Sequence, residues 1–174
     1  MNRAVFLDRD GVINRTIIKD NRPIAPTNAR DLQIIEGVSE AITLLRSKNF
    51  FVFVVTNQPD IARGNVDIRN VIEINNLLMR DLDIHKIYMC SHDDKDDCNC
   101  RKPKDGLFKL ASNEYNIELK QSYMVGDRWR DIAAGQSAGC QCLFIDYSYD
   151  EKRPELPYTL VDSLIDAAYK IIGV

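Results

Sequence analysis

Phe-Leu-Asp-Arg-Asp-Gly-Val-Ile-Asn, residues 6–14, follows the apolar pair Ala4 and Val5 and sets Asp8 and Asp10 where an apolar run gives way to Gly11. Ala4, Val5, Phe6 and Leu7 read as a buried strand, because a short apolar run bounded by a turn residue fits a strand covered on both faces. Both acids then stand at the C-terminal end of that strand, where open α/β sheets bind ligands. A side-chain period of two puts the two carboxylates on one side of the chain. An isolated Asp-x-Asp-Gly is more often a polar strand end turning through glycine, so its meaning rests on what the rest of the chain brings beside it.

Outward from this stretch, strand-like and helix-like segments alternate. After a polar loop with Pro23 and Pro26, residues 38–48 repeat Val38, Ala41, Ile42 and Leu45 at helical spacing, and residues 50–55 form a β-branched and aromatic run ending on Thr56 and Asn57. Residues 67–82 have helical spacing, 86–89 read as a short strand, and 107–115 as a helix. Residues 123–125 read as a strand closed by Gly126 and Asp127, 131–138 as a helix, 142–145 as a fifth strand and 160–172 as a final helix. This order predicts one α/β domain over residues 1–174, a Rossmann-like three-layer sandwich with a parallel sheet.

A chain of 174 residues, 45% hydrophobic and 28% charged with a net charge of -3, is long enough for one sizeable core and gives no reason to expect binding to nucleic acid or an anionic membrane. Met1 leads directly into the first strand without an apolar leader, and no apolar run approaches bilayer length, so a cytoplasmic location is expected. No extra apolar segment demands a partner, and a monomer is the expectation.

The polar strand ends belong together. In a parallel sheet Asp8, Asp10, Thr56, Asn57 and Asp127 all reach one edge, with Asp131 a helical turn beyond Asp127. Carboxylates gathered there repel one another unless a hard cation joins them, and an oxygen-rich set suits Mg²⁺. Arg101 and Lys102 offer cations for phosphoryl oxygens. A second metal signal is independent of the first. Cys90-x-His92, then five residues, then Cys98-x-Cys100 supplies three thiolates and an imidazole, the set that a closed, structural Zn²⁺ site prefers. Cys140 and Cys142 sit in a strand with Leu143 and Phe144 and read as buried, inert thiols.

Asp8-Arg9-Asp10-Gly11-Val12, Thr56-Asn57, Lys102-Pro103 and Gly126-Asp127 with Asp131 resemble, in order, the four motifs of the haloacid dehalogenase superfamily phosphatases. Within them the chain looks most like the D-glycero-D-manno-heptose 1,7-bisphosphate 7-phosphatases, through Thr56-Asn57-Gln58, Ile61-Ala62-Arg63-Gly64 and residues 123–127, and next most like the histidinol-phosphate phosphatases. The resemblance implies an Mg²⁺-dependent sugar-phosphate phosphatase. Asp8 would be the nucleophile, Asp10 the acid and base, Thr56 and Lys102 the grip on phosphoryl oxygens, and Asp8, Asp10 (through its carbonyl) and Asp127 the Mg²⁺ ligands. Asp131 would orient Lys102 or a water on the metal. Asn57, Gln58, Arg63, Arg101, Lys102 and Arg128 would face the substrate, and Zn²⁺ at Cys90, His92, Cys98 and Cys100 would fix the loop before Arg101. The gaps at residues 14–37 and 58–101 are too short for a cap domain, so a capless, open site with a zinc-stapled loop is expected. The chain departs from the family at Pro59-Asp60, at Arg128 and in the substrate loop at residues 15–26. A different class, a silent phosphate-binding module, is disfavoured because every acid and the lysine are present.

Overall fold

The computed structural model describes residues 1–19 and 22–174. In chain order it contains β1 (Arg3–Leu7), β2 (Ile17–Lys19), β3 (Arg22–Ile24), α1 (Val38–Ser47), β4 (Phe50–Asn57), α2 (Pro59–Ala62), α3 (Ile68–Asp81), β5 (Lys86–Cys90), α4 (Gly106–Tyr115), β6 (Tyr123–Gly126), α5 (Trp129–Ala138), β7 (Gln141–Ile145), β8 (Thr159–Val161) and α6 (Leu164–Ile172). Six strands form one sheet in the order β5-β4-β1-β6-β7-β8, with every neighbouring pair parallel. The chain runs from β1 out to β4 and β5, then returns across β1 to β6. Strand order therefore reverses at β1, which opens a crevice beyond its C-terminal end. Leu7 pairs with both Val54 and Val125, so the residues just past these positions emerge side by side.

The period of two in β1 divides the core. Val5 and Leu7 pack into a cluster with Ile42 and Leu45 of α1, Ile74 and Leu78 of α3, and Ala168 of α6. Ala4 and Phe6 pack on the other face with Leu107 and Phe108 of α4 and Ile132 of α5. Side chains of this kind contribute about 1.5–3 kcal/mol each when fully buried. Both faces are thus covered, as an all-parallel sheet requires. The long helix α3 starts at Asp67, whose carboxylate accepts from the Arg69 backbone N–H at 2.8 Å.

Pro59–Ala62 forms a short helix that the sequence pattern did not show, and two further regions differ from expectation. The polar loop contains an antiparallel hairpin, β2 with β3, in which Ile17 pairs with Ile24. Its connection, Asp20 and Asn21, lies outside the described residues, as does that part of the expected substrate loop. The final helix begins at Leu164, not residue 160, because Thr159–Val161 pairs with β7 as the sixth strand. Ser163 sets that start by accepting from the Asp166 N–H at 3.2 Å. Among the described residues no domain is inserted between β1 and α1 or between β4 and β5, so the site is capless. Among the described residues no helix is long and apolar enough to cross a membrane.

Candidate active site

Asp8 follows β1, Thr56 lies near the end of β4, and Asp127 follows β6, so three parallel strands deliver them to one edge. Lys102 arrives from the loop after β5 and is almost wholly buried. Its ammonium donates to Asp8 Oδ1 at 2.7 Å and to the Val55 carbonyl at 2.6 Å, and pairs with Asp131 Oδ1 at 2.7 Å. Those three contacts match the three protons of the group. The Lys102 backbone is fixed as well: Asn57 Nδ2 donates to its carbonyl and its N–H donates to Asn57 Oδ1, both at 3.0 Å. Asn57, expected to face the substrate, has both ends of its amide committed to holding the lysine.

Asp8, Asp127 and Asp131 bring carboxylate oxygens within 4.8 Å of one another, all in buried positions. Two glycines make this approach feasible. A Cβ on Gly11, at φ +97°, would lie 2.0 Å from Asp127 Oδ2, and one on Gly126 would lie 2.2 Å from Asp131 Cβ. Burial, and then the neighbouring Asp8 and Asp131, push Asp127 well above the ordinary carboxylate range. Burial likewise pushes Asp8 up to about 7, against the pull of Lys102. Although burial works against its charge, Asp131 and Asp8 hold Lys102 above the usual lysine value. Three buried acids facing one ammonium leave excess negative charge, and Asp127 Oδ1 is buried without a partner among the described residues. That orphan oxygen, in a set of hard oxygen donors, fits a divalent cation such as Mg²⁺.

Asp10 is placed differently. Its carboxylate turns away from the triad and accepts from Arg9 at 3.1 and 3.2 Å, from Asn14 Nδ2 at 2.9 Å and from Gln58 Nε2 at 2.7 Å. Gln58 also donates to Thr56 Oγ1 at 3.0 Å, linking Asp10 to the threonine. Arg9 is fully buried and also donates to Asn75 Oδ1 at 2.9 Å.

A cavity of about 290 Å³ opens over these groups, lined by Asp8, Asp10 and Lys102 on its floor and by Arg63, Arg101 and Arg130 toward its mouth. Arg63 is tied to Asp93 at 2.7 and 3.0 Å, and Arg128 makes a two-point pair with Glu151. Sequence reasoning missed Arg9, Asn14, Asp94, Arg130, Tyr149 and Glu151. Only Arg9 carried a signal, an arginine between two acids at a buried strand end. Tyr149 donates to Asp127 Oδ2 at 3.0 Å and Tyr147 to the Gly11 carbonyl at 3.0 Å, so the segment after β7 closes one side of the site.

Beside the mouth, Cys90, His92, Cys98 and Cys100 gather their ligand atoms within 4.8 Å of one another. The sulfur separations are 3.7, 3.2 and 3.4 Å, and His92 Nδ1 lies 3.6 and 3.3 Å from Cys90 and Cys100. Zinc–sulfur bonds of about 2.3 Å at tetrahedral angles require sulfurs about 3.8 Å apart, so the four donors fit zinc after a small expansion.

The family described as HAD-hydrolase-like matches residues 99–167. Relatives that match most or nearly all of the chain include heptose phosphatases. The D-glycero-beta-D-manno-heptose-1,7-bisphosphate 7-phosphatase of Haemophilus ducreyi is 37% identical, covering 79% of each chain. The protein of the same name from Vibrio cholerae is 33% identical and covers 98% of this chain and 97% of its own. Among solved structures, the D,D-heptose 1,7-bisphosphate phosphatase of B. bronchiseptica, complexed with magnesium and phosphate, superposes with a TM-score of 0.87 at 26% identity, covering 98% of each chain.

Proposed function

The chain belongs to the heptose-bisphosphate phosphatase family of HAD-like hydrolases, and from that premise we propose that it removes the 7-phosphate of D-glycero-D-manno-heptose 1,7-bisphosphate through an aspartyl-phosphate on Asp8. The observation that carries this reading is the buried lysine bridge: Lys102 joins Asp8 and Asp131 at 2.7 Å each, beside an Asp127 oxygen with no partner among the described residues.

Lys102 grips one oxygen of Asp8 and leaves the other for attack on phosphorus. As the Asp8–phosphorus bond forms, the bond from phosphorus to the sugar oxygen breaks, and Asp10 supplies the proton that the alkoxide takes. Water then attacks phosphorus, Asp10 accepts its proton, and the Asp8–phosphorus bond breaks to release phosphate. Asp10, ringed by donors from Arg9, Asn14 and Gln58, is arranged for the accepting half-reaction. For the donating half, the leaving oxygen takes the place of one of those donors, and Gln58, at the cavity edge, is the one able to yield. Thr56 holds one phosphoryl oxygen as charge is redistributed, and Lys102 reaches a second by exchanging one of its three present contacts for it. Asp8, Asp127 and the Asp10 carbonyl would hold Mg²⁺, which when bound would supply the positive charge that lets an anionic nucleophile meet an anionic phosphoryl group. Cys90, His92, Cys98 and Cys100 would hold Zn²⁺ with all four positions filled by protein, so its part would be to shape the loop that presents Arg101 and Lys102.

A phosphate-release screen over sugar mono- and bisphosphates and histidinol phosphate, with and without Mg²⁺, tests the reading. The heptose bisphosphate should give the highest kcat/KM, and only with Mg²⁺. A preference for histidinol phosphate would overturn the substrate, and no Mg²⁺-dependent release from any compound would overturn the activity.

A further inference from the structure

Four arginines line the main cavity, but the acids that hold them are unevenly shared. Arg63 meets two, Asp93 at 2.7 Å and Asp60 at 3.7 Å. Arg128 is matched one to one by Glu151. Arg101 and Arg130 share a single carboxylate, Asp94. Arg101 Nε donates to Asp94 Oδ1 at 2.8 Å, while Arg130 donates to Oδ1 at 2.9 Å and to Oδ2 at 3.2 Å. Among the described residues of the rim, the surplus positive charge therefore lies at the Arg101 and Arg130 pair.

That pair is also built to stay in place. The Arg101 side chain is 10% exposed and also donates to the His92 carbonyl at 3.4 Å. The Arg130 guanidinium lies 4.9 Å from the Trp129 ring centroid and 3.5 Å from the Lys102 carbonyl. Asp94 in turn opens a short 3₁₀ turn, Asp94–Asp96, which Asp93 caps by accepting from the Asp94 N–H at 2.8 Å. This turn lies between the thiolate-cluster residues His92 and Cys98. Each guanidinium has five N–H donors and uses only some of them on Asp94 and the carbonyls, so both forks retain donors for an anion.

We infer that Asp94 is a positioning residue that yokes Arg101 and Arg130 into a receptor for the second phosphate of a sugar bisphosphate, with Arg130 as a specificity-determining contact. The inference rests on the phosphatase reading above. It assigns the distal anion to this pair and leaves Arg63 and Arg128 as structural ion pairs.

The test compares the heptose bisphosphate with the heptose 7-phosphate, which lacks the second anion. For Arg130→Ala the ratio of kcat/KM for bisphosphate to that for monophosphate should fall about 10- to 100-fold, the range of a charge-assisted hydrogen bond. The loss should lie in KM. Arg130→Lys, which keeps the charge and loses the fork, should recover part of it. Asp94→Asn should lower the ratio by about 3- to 10-fold and add little in the Arg130→Ala background, as expected when two residues act through one contact. Zinc content is measured in every variant, so that collapse of the loop is told apart from loss of the yoke. Equal loss on both substrates, or no loss, with zinc retained overturns the inference. Calorimetric binding of the bisphosphate to the Asp8→Asn protein, with and without Arg130→Ala, reads the same subsite without turnover. An unchanged affinity there overturns the subsite even if catalysis is confirmed, and a weakened one supports it even if the activity reading fails.

Discussion

Asp8 and Asp127 are acids held where acids are costly, and that cost has a pH signature. With folding raising Asp8 from 3.8 to about 7, the metal-free native state keeps a proton that the unfolded chain has released. A raised carboxylate therefore makes the metal-free protein less stable as pH climbs from about 4 toward about 7. Mg²⁺ competes with that proton, so the rise in Tm on adding Mg²⁺ should be small at pH 5 and larger at pH 7.5, measured by calorimetry on protein that retains its zinc. A gain that is flat or shrinks with pH would contradict the charge arrangement. Arg9 bears the opposite relation to Asp10. With no exposed surface, it neutralises a carboxylate that is itself largely buried, and Arg9→Ala leaves that charge without its cation. The expected loss is about 3–5 kcal/mol in denaturant unfolding, the range for breaking a buried pair from one side. Asp10→Asn breaks the same pair from the other side and leaves the buried Arg9 without its anion, so it should lose stability in the same range, while turnover of the folded protein drops about 10²- to 10⁴-fold, the contribution of a general acid and base.

The loop between β5 and α4 is the element on which the mouth of the site depends. It is long, rich in acids and poor in apolar residues, so packing alone cannot order it. Ligation can, and the same loop then presents Asp93 to Arg63 and Asp94 to Arg101 and Arg130. Cys98→Ala should abolish stoichiometric zinc by elemental analysis and raise KM for the bisphosphate more than it lowers kcat. A variant that loses zinc with unchanged KM would separate the loop from substrate binding. The clustering of Cys90, His92, Cys98 and Cys100 was legible in sequence because ligand softness and spacing are local. The arginine pairs were not, since Asp94 meets Arg130 across 36 residues and nothing in either neighbourhood marks the other. Short strands failed for a related reason. β2, β3 and β8 have three residues each, too few to show a period of two, and β8 was absorbed into the apolar pattern of α6.

At the scale of the molecule, a parallel sheet turns distant sequence into one site. Asp8, Thr56 and Asp127 were predicted to converge because each closes an apolar run, and apolar runs that alternate with helical spacing leave few topologies. The structure bears this out and adds the register, Leu7 between Val54 and Val125, that sequence periodicity does not carry. It also separates the two acids of the opening stretch: Asp8 faces Lys102, while Asp10 faces Arg9, Asn14 and Gln58. Their spacing alone put them on one side and left their contacts undefined. The central claim, that Asp8 carries the phosphoryl group, is tested most directly by acid-quenching a reaction with the heptose bisphosphate and Mg²⁺ within a single turnover and mapping the protein by peptide mass spectrometry. The account predicts a transient phosphoryl adduct on the peptide containing Asp8, absent in Asp8→Asn. Phosphate release at the full rate with no adduct on that peptide would contradict it.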